Sequence, residues 1–336
     1  MSIPSSRLMR LNFARMKTFF QIVLSSMIAL LPAVAAAAPF AYSVNSDQPF
    51  GDTLYMIDLA DGTATPIGTG VTLPPDPFKR LDIEGLAIAP DLTLWGVDED
   101  LKRLFAIDTN SGTVVAATDE EVDGVDGAEG NDFGLTFTCN GDLYAVSVRN
   151  QTLYTLGLDG VASPVGGVGN LGANISAIAA HGSDPVKMYG LGNGWFGEAG
   201  PVDNRSLYEI NLDTGTANLI GSLGPVETVA NYTEAGLGFD LDGNLWAITD
   251  RSQFAMTSQV LQIDPATGLA TNVLNTSIIG FESLAVAPPG ACNVPVQPDH
   301  RFETTVQVPT LSRTGIILAV LFMLLAASLA PRLRRR

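Results

Sequence analysis

The sequence has few of the side chains that enzymes use for nucleophilic or zinc-assisted catalysis. It contains two histidines and two cysteines in 336 residues, and it has no Gly-x-Ser-x-Gly motif, Cys-x-x-Cys pair or phosphate-binding loop. His300 follows the repeats described below, and His181 falls in a predicted turn between two strands. The sequence therefore argues against a zinc site and against a Ser-His-Asp triad.

Basic residues are also scarce in the central part of the chain. The whole chain has 18 Lys and Arg against 35 Asp and Glu. Four of the basic residues lie before residue 18 and five lie from Arg313 onward, which leaves nine against the same 35 acidic residues, a net charge of −26. Such an excess repels nucleic acid and anionic lipid surfaces and attracts cations. We therefore expect no nucleic-acid partner.

Two long hydrophobic segments lie at the ends of the chain, and the first is typical of a secretory signal peptide. Basic residues up to Lys17 precede an apolar stretch at 19–34, which is followed by four alanines at 35–38. This order predicts export by the Sec machinery. Because a proline directly after the cut is disfavoured, we expect cleavage after Ala37, and residues 1–37 are left out of the fold.

The second hydrophobic segment, at 314–331, is followed by a terminal cluster of four arginines. Its apolar stretch is slightly shorter than the roughly 20 residues that span a bilayer, and the arginines would hold its end in the cytoplasm. The pattern predicts a transmembrane segment. A buried core helix is the alternative, but nothing amphipathic in the segment supports it.

A short motif in front of this segment resembles a known sorting signal. Its residues are Val308, Pro309, Thr310, Leu311, Ser312 and Gly315. Together with the apolar segment and the arginines, they resemble the IPTL-type carboxy-terminal signal of exosortase-processed proteins in Gram-negative bacteria, with Val for Ile and with Thr314 in place of the usual Trp. The resemblance covers 308–336. It implies an exosortase-type partner, transient anchoring in the inner membrane, and a final location in the cell envelope or outside the cell.

The region between the ends, 38–290, is an array of alternating hairpin repeats. Predicted outer hairpins lie at 54–68, 104–118, 153–166, 207–221 and 260–274. Complete inner hairpins alternate with them at 85–98, 134–147, 177–192 and 236–249. Each has two short alternating runs around a turn rich in Asp, Asn or Gly, which is typical of a β-hairpin. Four antiparallel strands in about 50 residues are typical of a β-propeller blade.

The array begins with an incomplete unit and ends with a matching fragment. Three predicted strands lie at 40–46 and 54–68, and a single inner strand lies at 281–287. Because the two fragments complement each other, the sequence predicts an all-β, five-bladed propeller closed by one carboxy-terminal and three amino-terminal strands. Six blades are the alternative, if 119–131 or 192–206 contains further strands.

Aromatic residues recur at one position of the second strand of the inner hairpins. They are Trp95, Tyr144, Tyr189 and Trp246. A position that repeats from blade to blade indicates packing between blades rather than a ligand site.

Trp195 and Phe196 lie outside the repeat, in one of the long connections. Loops on a rigid scaffold commonly carry binding residues. We therefore expect these two aromatic residues on the binding face, with local packing within the loop as the alternative.

Acidic residues recur just before the first inner strand of four blades. They are Glu84, Asp132, Glu234 and Glu282, whereas the remaining blade has Asn174 and Ser176. Innermost strands crowd the propeller axis, so these carboxylates are expected to converge at the mouth of the channel. Like charges raise each other's pKa unless a cation or distance relieves them, and Ca²⁺ takes six to eight oxygen ligands. The four residues are candidate Ca²⁺ ligands; the alternative is that they cap backbone N–H groups and bind no cofactor.

The sequence IEGLAIAP at 83–90 resembles the Glu-Gly-Pro opening of lactonase and gluconolactonase-type propellers. In those six-bladed proteins the glutamate binds a catalytic divalent metal, which implies the same role for Glu84, although Leu86 replaces the proline. Two classes of function are therefore expected. The first is an exported binding or matrix-associated module, and the second is a Ca²⁺-dependent hydrolase of lactones or esters.

The chain has two cysteines, Cys139 and Cys292. An even number of cysteines in a chain that is expected to be exported predicts a disulfide. Cys139 ends a predicted innermost strand and Cys292 follows the last one, so the bond would fasten the closure of the ring. Two buried free thiols are the alternative. Residues 291–307 would then form a linker to the sorting motif.

Overall fold

A computed structural model describes residues 39–46, 52–71, 81–118, 121–122, 125, 132–196 and 202–286. The predicted signal peptide, linker and sorting signal lie outside these residues. Within them, regular structure is β-strand apart from one 3₁₀ turn at Ser252–Phe254. No helix in this part of the chain has the length and apolar character needed to cross a bilayer.

The described strands form four four-stranded antiparallel sheets, a three-stranded sheet and a separate hairpin. The three-stranded sheet contains β1 (Phe40–Asn45), β2 (Thr53–Asp58) and β3 (Ala64–Ile67). Blade 1 contains β4 (Ile83–Ile88), β5 (Leu94–Asp98), β6 (Leu104–Ile107) and β7 (Val114–Ala117). Blade 2 contains β8 (Phe133–Phe137), β9 (Leu143–Ser147), β10 (Thr152–Leu156) and β11 (Ala162–Pro164).

Blade 3 differs from the others because a hairpin is inserted between its second and third strands. Its sheet contains β12 (Ile175–His181), β13 (Lys187–Gly192), β16 (Ser206–Ile210) and β17 (Ala217–Ser222), and the hairpin contains β14 (Gly194–Phe196) and β15 (Val202–Asn204). Blade 4 contains β18 (Glu234–Phe239), β19 (Leu245–Asp250), β20 (Gln259–Ile263) and β21 (Ala270–Asn275).

The two ends of the propeller complete a fifth blade together. The N–H group of Tyr42 donates to the carbonyl of Ala285, and the N–H group of Ala285 donates to the carbonyl of Tyr42, both at 2.9 Å. Asn45 also pairs with Phe281. Residues 281–286 therefore occupy the innermost position of blade 5, next to β1. The predicted five-bladed propeller and its one-plus-three closure are confirmed.

The alternative of a sixth blade at 192–206 is wrong. This segment does contain two strands, β14 and β15, which pair through Trp195 and Asp203. However, β13 pairs directly with β16 across the base of the insertion. The hairpin is thus an excursion from blade 3.

Among the described residues, the hydrophobic core is divided into five clusters, one between each pair of neighbouring blades. The recurring aromatic residues contribute to these clusters, as was predicted from their position in the repeat. Trp95 packs at the interface of blades 1 and 2, Tyr144 at blades 2 and 3, Tyr189 at blades 3 and 4, and Trp246 at blades 4 and 5. The fold is therefore stabilised by face-to-face packing of the blades around the axis.

Glycines allow the innermost strands to approach each other closely. A Cβ atom on Gly134 would lie 2.6 Å from the carbonyl oxygen of Ser176, and one on Gly236 would lie 2.2 Å from the backbone nitrogen of Leu284. Both distances are too short for real Cβ atoms. Larger residues at these positions would push neighbouring strands apart, which accounts for the Gly-Leu pair in the repeat.

We expect Gly236→Ala to destabilise the protein by about 1–3 kcal/mol, because the added methyl group overpacks the contact with residues 283–284. Gly157→Ala is the matched control. The nearest atom to its new Cβ would be the carboxylate of Asp159, an exposed side chain that can move aside, so we expect a change within about 0.5 kcal/mol. Urea unfolding of both variants measures the difference. Equal stability of the two variants would contradict the close approach of the strands.

Candidate metal centre

The first residues of the innermost strands meet at one end of the channel. This end is here called the long-loop face. Two kinds of connection belong to it: those that join second and third strands within a blade, and those that join one blade to the next. The connections between blades are 68–82, 118–132, 165–174, 223–233 and 276–280. Further along, the channel is lined mainly by apolar side chains, including Leu86, Leu135, Leu237 and Leu284. A polar mouth therefore lies above an apolar channel.

Five carboxylates converge at this mouth. Oxygen atoms of Glu84, Asp132 and Glu234 lie within 4.8 Å of one another, and so do oxygen atoms of Asp82, Glu84 and Glu282. Glu84 belongs to both groups. The structure therefore brings together the four carboxylates that the sequence singled out, and it adds Asp82.

Glu84 is the central residue of the cluster. It is only 6% exposed and lies at a β-bulge between Ile83 and Gly85, where the register of β4 on β5 shifts. A bulge changes the direction of a side chain. One carboxylate oxygen, Oε2, accepts a hydrogen bond of 3.0 Å from the N–H group of Phe133 in blade 2. Glu84 thus reaches across from its own blade to the next.

Burial raises the pKa of Glu84 well above its ordinary value, and the neighbouring carboxylates of Glu234, Asp132 and Glu282 raise it further. All the charged groups that shift this pKa are carboxylates, so none of them offsets the cost of burying the Glu84 charge. A bound cation would relieve the desolvation and the repulsion together.

Asp82 was missed in the sequence because it lies one residue before the positions at which the repeats were compared. Its backbone is fixed by the end of β5. The carboxylate of Asp98 accepts a hydrogen bond of 2.6 Å from the N–H group of Asp82, and the N–H group of Glu99 donates to the Asp82 carbonyl at 2.9 Å. Burial raises the pKa of Asp98 to about 6, although its backbone hydrogen bonds oppose the shift. Asp98 is therefore the residue that positions Asp82.

The fifth position of the ring, in blade 3, has no carboxylate. Asn174 is engaged elsewhere, because its side-chain oxygen accepts a hydrogen bond from Gln151 and its carbonyl accepts one from Asn204. Ser176 lies at a bulge between Ile175 and Ala177 and is 4% exposed. It therefore occupies the place in blade 3 that Glu84 occupies in blade 1.

The hairpin of blade 3 begins on the same face, and its base is held firmly. The Arg205 guanidinium donates to the Val229 carbonyl at 2.5 Å and to the Asp203 carboxylate at 2.6 Å. The Tyr232 hydroxyl donates to the carbonyl of Gly192 at 3.0 Å. The structure places Trp195 and Phe196 on β14 of this hairpin, and a role for their side chains in binding stays a prediction.

Cys139 lies in the turn after β8, at the end opposite the carboxylates. No free cysteine is found in the part of the chain that the structure describes. Cys292 lies outside that part, so the Cys139–Cys292 disulfide stays a prediction.

Comparisons with known proteins identify no family for this chain. No protein-family model matches the chain, and no curated protein sequence matches it.

Several solved structures resemble the chain at low sequence identity. A protein of unknown function from Bacteroides caccae is 11% identical, with a TM-score of 0.45, over 74% of this chain and 98% of that chain. A virginiamycin B lyase from Staphylococcus aureus is 15% identical, with a TM-score of 0.39, over 73% of this chain and 72% of that chain. A luciferin-regenerating enzyme is 15% identical, with a TM-score of 0.39, over 75% and 81% respectively. These likenesses carry no activity over to this chain.

We expect the metal-free protein to lose stability as the pH rises from about 4 to beyond 6. The folded state retains protons on Glu84 and Asp98 at pH values where the unfolded chain has released them, so it binds more protons and its stability falls with pH. For Asp98 the loss runs from its ordinary pKa of 3.8 to about 6, and for Glu84 it begins at 4.5 and extends well above that value. Urea unfolding in a chelator, repeated across this pH range, measures the slope.

The variant Glu84→Gln is expected to flatten this slope and to stabilise the metal-free protein at high pH. The amide keeps an acceptor for the Phe133 N–H group but carries no charge. Glu209→Gln, at an exposed position on β16, is the matched control and should leave the slope unchanged. If Glu84→Gln keeps the slope of the unsubstituted protein, the placement of Glu84 is wrong.

Proposed function

We propose that this chain is an exported propeller that binds Ca²⁺ at the mouth of its channel and acts as a binding module at the cell surface. The observation that carries the proposal is the pair of carboxylate groups that share buried Glu84, each with oxygen atoms within 4.8 Å. A cation in either group satisfies oxygens that repel one another in its absence.

The composition of the cluster favours Ca²⁺ over Mg²⁺. Its members are carboxylates contributed by separate strands and loops, and Ca²⁺ accepts six to eight oxygen ligands in variable geometry. Mg²⁺ requires near-ideal octahedral geometry and keeps several of its waters, so it is usually bound through one or two carboxylates. Zn²⁺ is disfavoured because nitrogen and sulfur ligands are its usual partners in proteins, and the cluster provides neither.

Serine-based hydrolysis at the ring is disfavoured, because the buried Ser176 hydroxyl has no hydrogen-bond partner among the residues that the structure describes, whereas a serine nucleophile requires a general base within reach. Metal-dependent hydrolysis of a lactone or ester, in which the ion itself activates a water, is the second candidate function. The carboxylate cluster and the raised pKa of Glu84 favour it.

The tail supports the location of this module. The signal peptide at 1–37 and the sorting signal at 308–336 would lead to export, transient anchoring in the inner membrane and processing by an exosortase-type enzyme. Residues 281–286 run away from the long-loop face, because the closing strand starts there at Phe281 beside Asn45 and continues to Ala285 beside Tyr42. The last described residues of the closing strand therefore lie towards the end of the propeller opposite the carboxylates.

We expect Ca²⁺ to raise the melting temperature of the full-length protein, and Glu84→Gln to abolish most of this rise. At a free Ca²⁺ concentration of about 100 times Kd the stabilisation is about 2.7 kcal/mol. Asp213→Asn is the control, since it removes an exposed carboxylate from an outer turn. Thermal unfolding with and without Ca²⁺ measures the effect.

The proposal fails if Ca²⁺ leaves the melting temperature of the unsubstituted protein unchanged, or if Glu84→Gln keeps the full shift. Turnover of lactones or esters that requires Ca²⁺ and disappears in Glu84→Gln would keep the metal site but replace the binding role with the hydrolase.

For the sorting signal, the double substitution Pro309→Ala and Thr310→Ala is expected to leave the protein in the membrane with its carboxy terminus intact, in a host that has an exosortase. Thr304→Ala and Thr305→Ala, in the predicted linker, are the control and should be processed normally. Membrane fractionation and intact-mass spectrometry report the outcome. Equal processing of the two double variants would remove the sorting role of the motif.

A further inference from the structure

The connection between β19 and β20 contains a buried arginine that has no anionic partner among the described residues. Arg251 is only 3% exposed. Its Nη1 donates to the carbonyl of Thr257 at 3.1 Å and to the side-chain oxygen of Asn275 at 3.3 Å, while its Nε has no hydrogen-bond partner in the described part of the chain. Burial lowers the pKa of this guanidinium. A buried cation whose acceptors are few and neutral is unfavourable.

The remaining contact of the guanidinium is with a methionine at the surface. Nη2 of Arg251 lies 2.8 Å from the sulfur, Sδ, of Met256, and Met256 is 47% exposed. The N–H group of Met256 also donates to the carbonyl of Arg251 at 3.2 Å, so the backbone of the loop holds the two residues next to each other. A thioether sulfur is a weak hydrogen-bond acceptor. The arginine therefore has a poor partner on a side chain that solvent reaches.

Met256 is the described methionine that is most open to oxidants. Met56 is partly buried on β2, and Met188 is fully buried. Hydrogen peroxide transfers one oxygen atom to a methionine sulfur: a sulfur lone pair forms the S–O bond, the O–O bond breaks, and water leaves. The sulfur loses two electrons and the peroxide gains them. The product, methionine sulfoxide, carries a polar oxygen that is a stronger hydrogen-bond acceptor than the thioether.

We propose that Met256 is an oxidation site whose sulfoxide oxygen accepts a charge-assisted hydrogen bond from the guanidinium of Arg251. Oxidation of methionine usually disrupts a protein because it places a polar group in an apolar core. At Met256 this penalty is small, since the side chain is exposed, and an acceptor is gained beside a buried cation. Oxidation therefore fastens the loop instead of loosening it. The inference is independent of the proposed Ca²⁺ site.

The oxidation site lies on the long-loop face, because its loop joins the second and third strands of blade 4. Asp250, which directly precedes Arg251, pairs in register with Glu234 of the carboxylate cluster. The methionine side chain has three rotatable bonds, so the sulfoxide can turn its oxygen towards the guanidinium. Because methionine sulfoxide is reduced back by dedicated enzymes, the new contact is reversible. This face of the propeller is thus responsive to peroxide.

Peroxide treatment of the folded full-length protein, followed by peptide mapping with mass spectrometry, measures the reaction at each methionine. We expect Met256 to react faster than Met188 by on the order of tenfold or more, since oxidation follows exposure. When Met256 is oxidised and Met188 is not, the melting temperature should rise by on the order of 3 °C, because a hydrogen bond to a charged group is gained. Met256→Leu has no sulfur at this position and should show no rise after the same treatment.

The variant Met256→Gln tests the pairing with Arg251 without peroxide. Its amide supplies a neutral oxygen acceptor in place of the sulfoxide, so Met256→Gln should melt at a higher temperature than Met256→Leu. Leu269→Gln, at an exposed position between β20 and β21, is the control for the loss of an exposed apolar side chain and should shift the melting temperature by less than about 1 °C.

Three results would each overturn the inference. The first is that Met256 reacts no faster than Met188. The second is that oxidation of Met256 lowers the melting temperature or leaves it unchanged. The third is that Met256→Gln and Met256→Leu melt at the same temperature.

Discussion

The close approach of five innermost strands around one axis is the constraint on which the rest of the structure depends. Backbone meets backbone at Gly134 and Gly236, where even a methyl group would collide with the neighbouring strand. Each blade packs its hydrophobic faces against the next, so no strand can withdraw from the axis without opening two interfaces. The first residue of every innermost strand is therefore held at the mouth of the channel.

This constraint has an electrostatic cost at the mouth. Glu84 is buried among acidic residues that cannot move apart, since their strands are fixed by the packing of the blades. Burial and repulsion raise its pKa, and protonation is one way to relieve them. A divalent cation is the other, and it fits a protein whose central region is strongly acidic. The same fixed geometry that disfavours the metal-free state provides a preformed set of oxygen ligands.

The sequence predicts the fold well because each repeat in the sequence corresponds to a repeated unit of strands and turns in the structure. The same alternation and turn residues recur in every blade, and the fragments at the two ends complement each other. The carboxylates Glu84, Asp132, Glu234 and Glu282 were found from their register on the innermost strands. Asp82 was not found, because it lies one residue before the positions at which the repeats were compared. The inserted hairpin of blade 3 was left undecided between a loop and a blade, since a short irregular segment has no periodic signal.

The central claim is that the mouth of the channel holds a cation through Glu84, and a crystal structure of the Ca²⁺-soaked protein tests it most directly. The account predicts a strong anomalous peak at the mouth, with carboxylate oxygens of Glu84 and of at least two of Asp82, Asp132, Glu234 and Glu282 at about 2.3–2.6 Å from it. Absence of an anomalous peak at the mouth in the Ca²⁺-soaked crystal, or a peak only at surface carboxylates, would contradict the account.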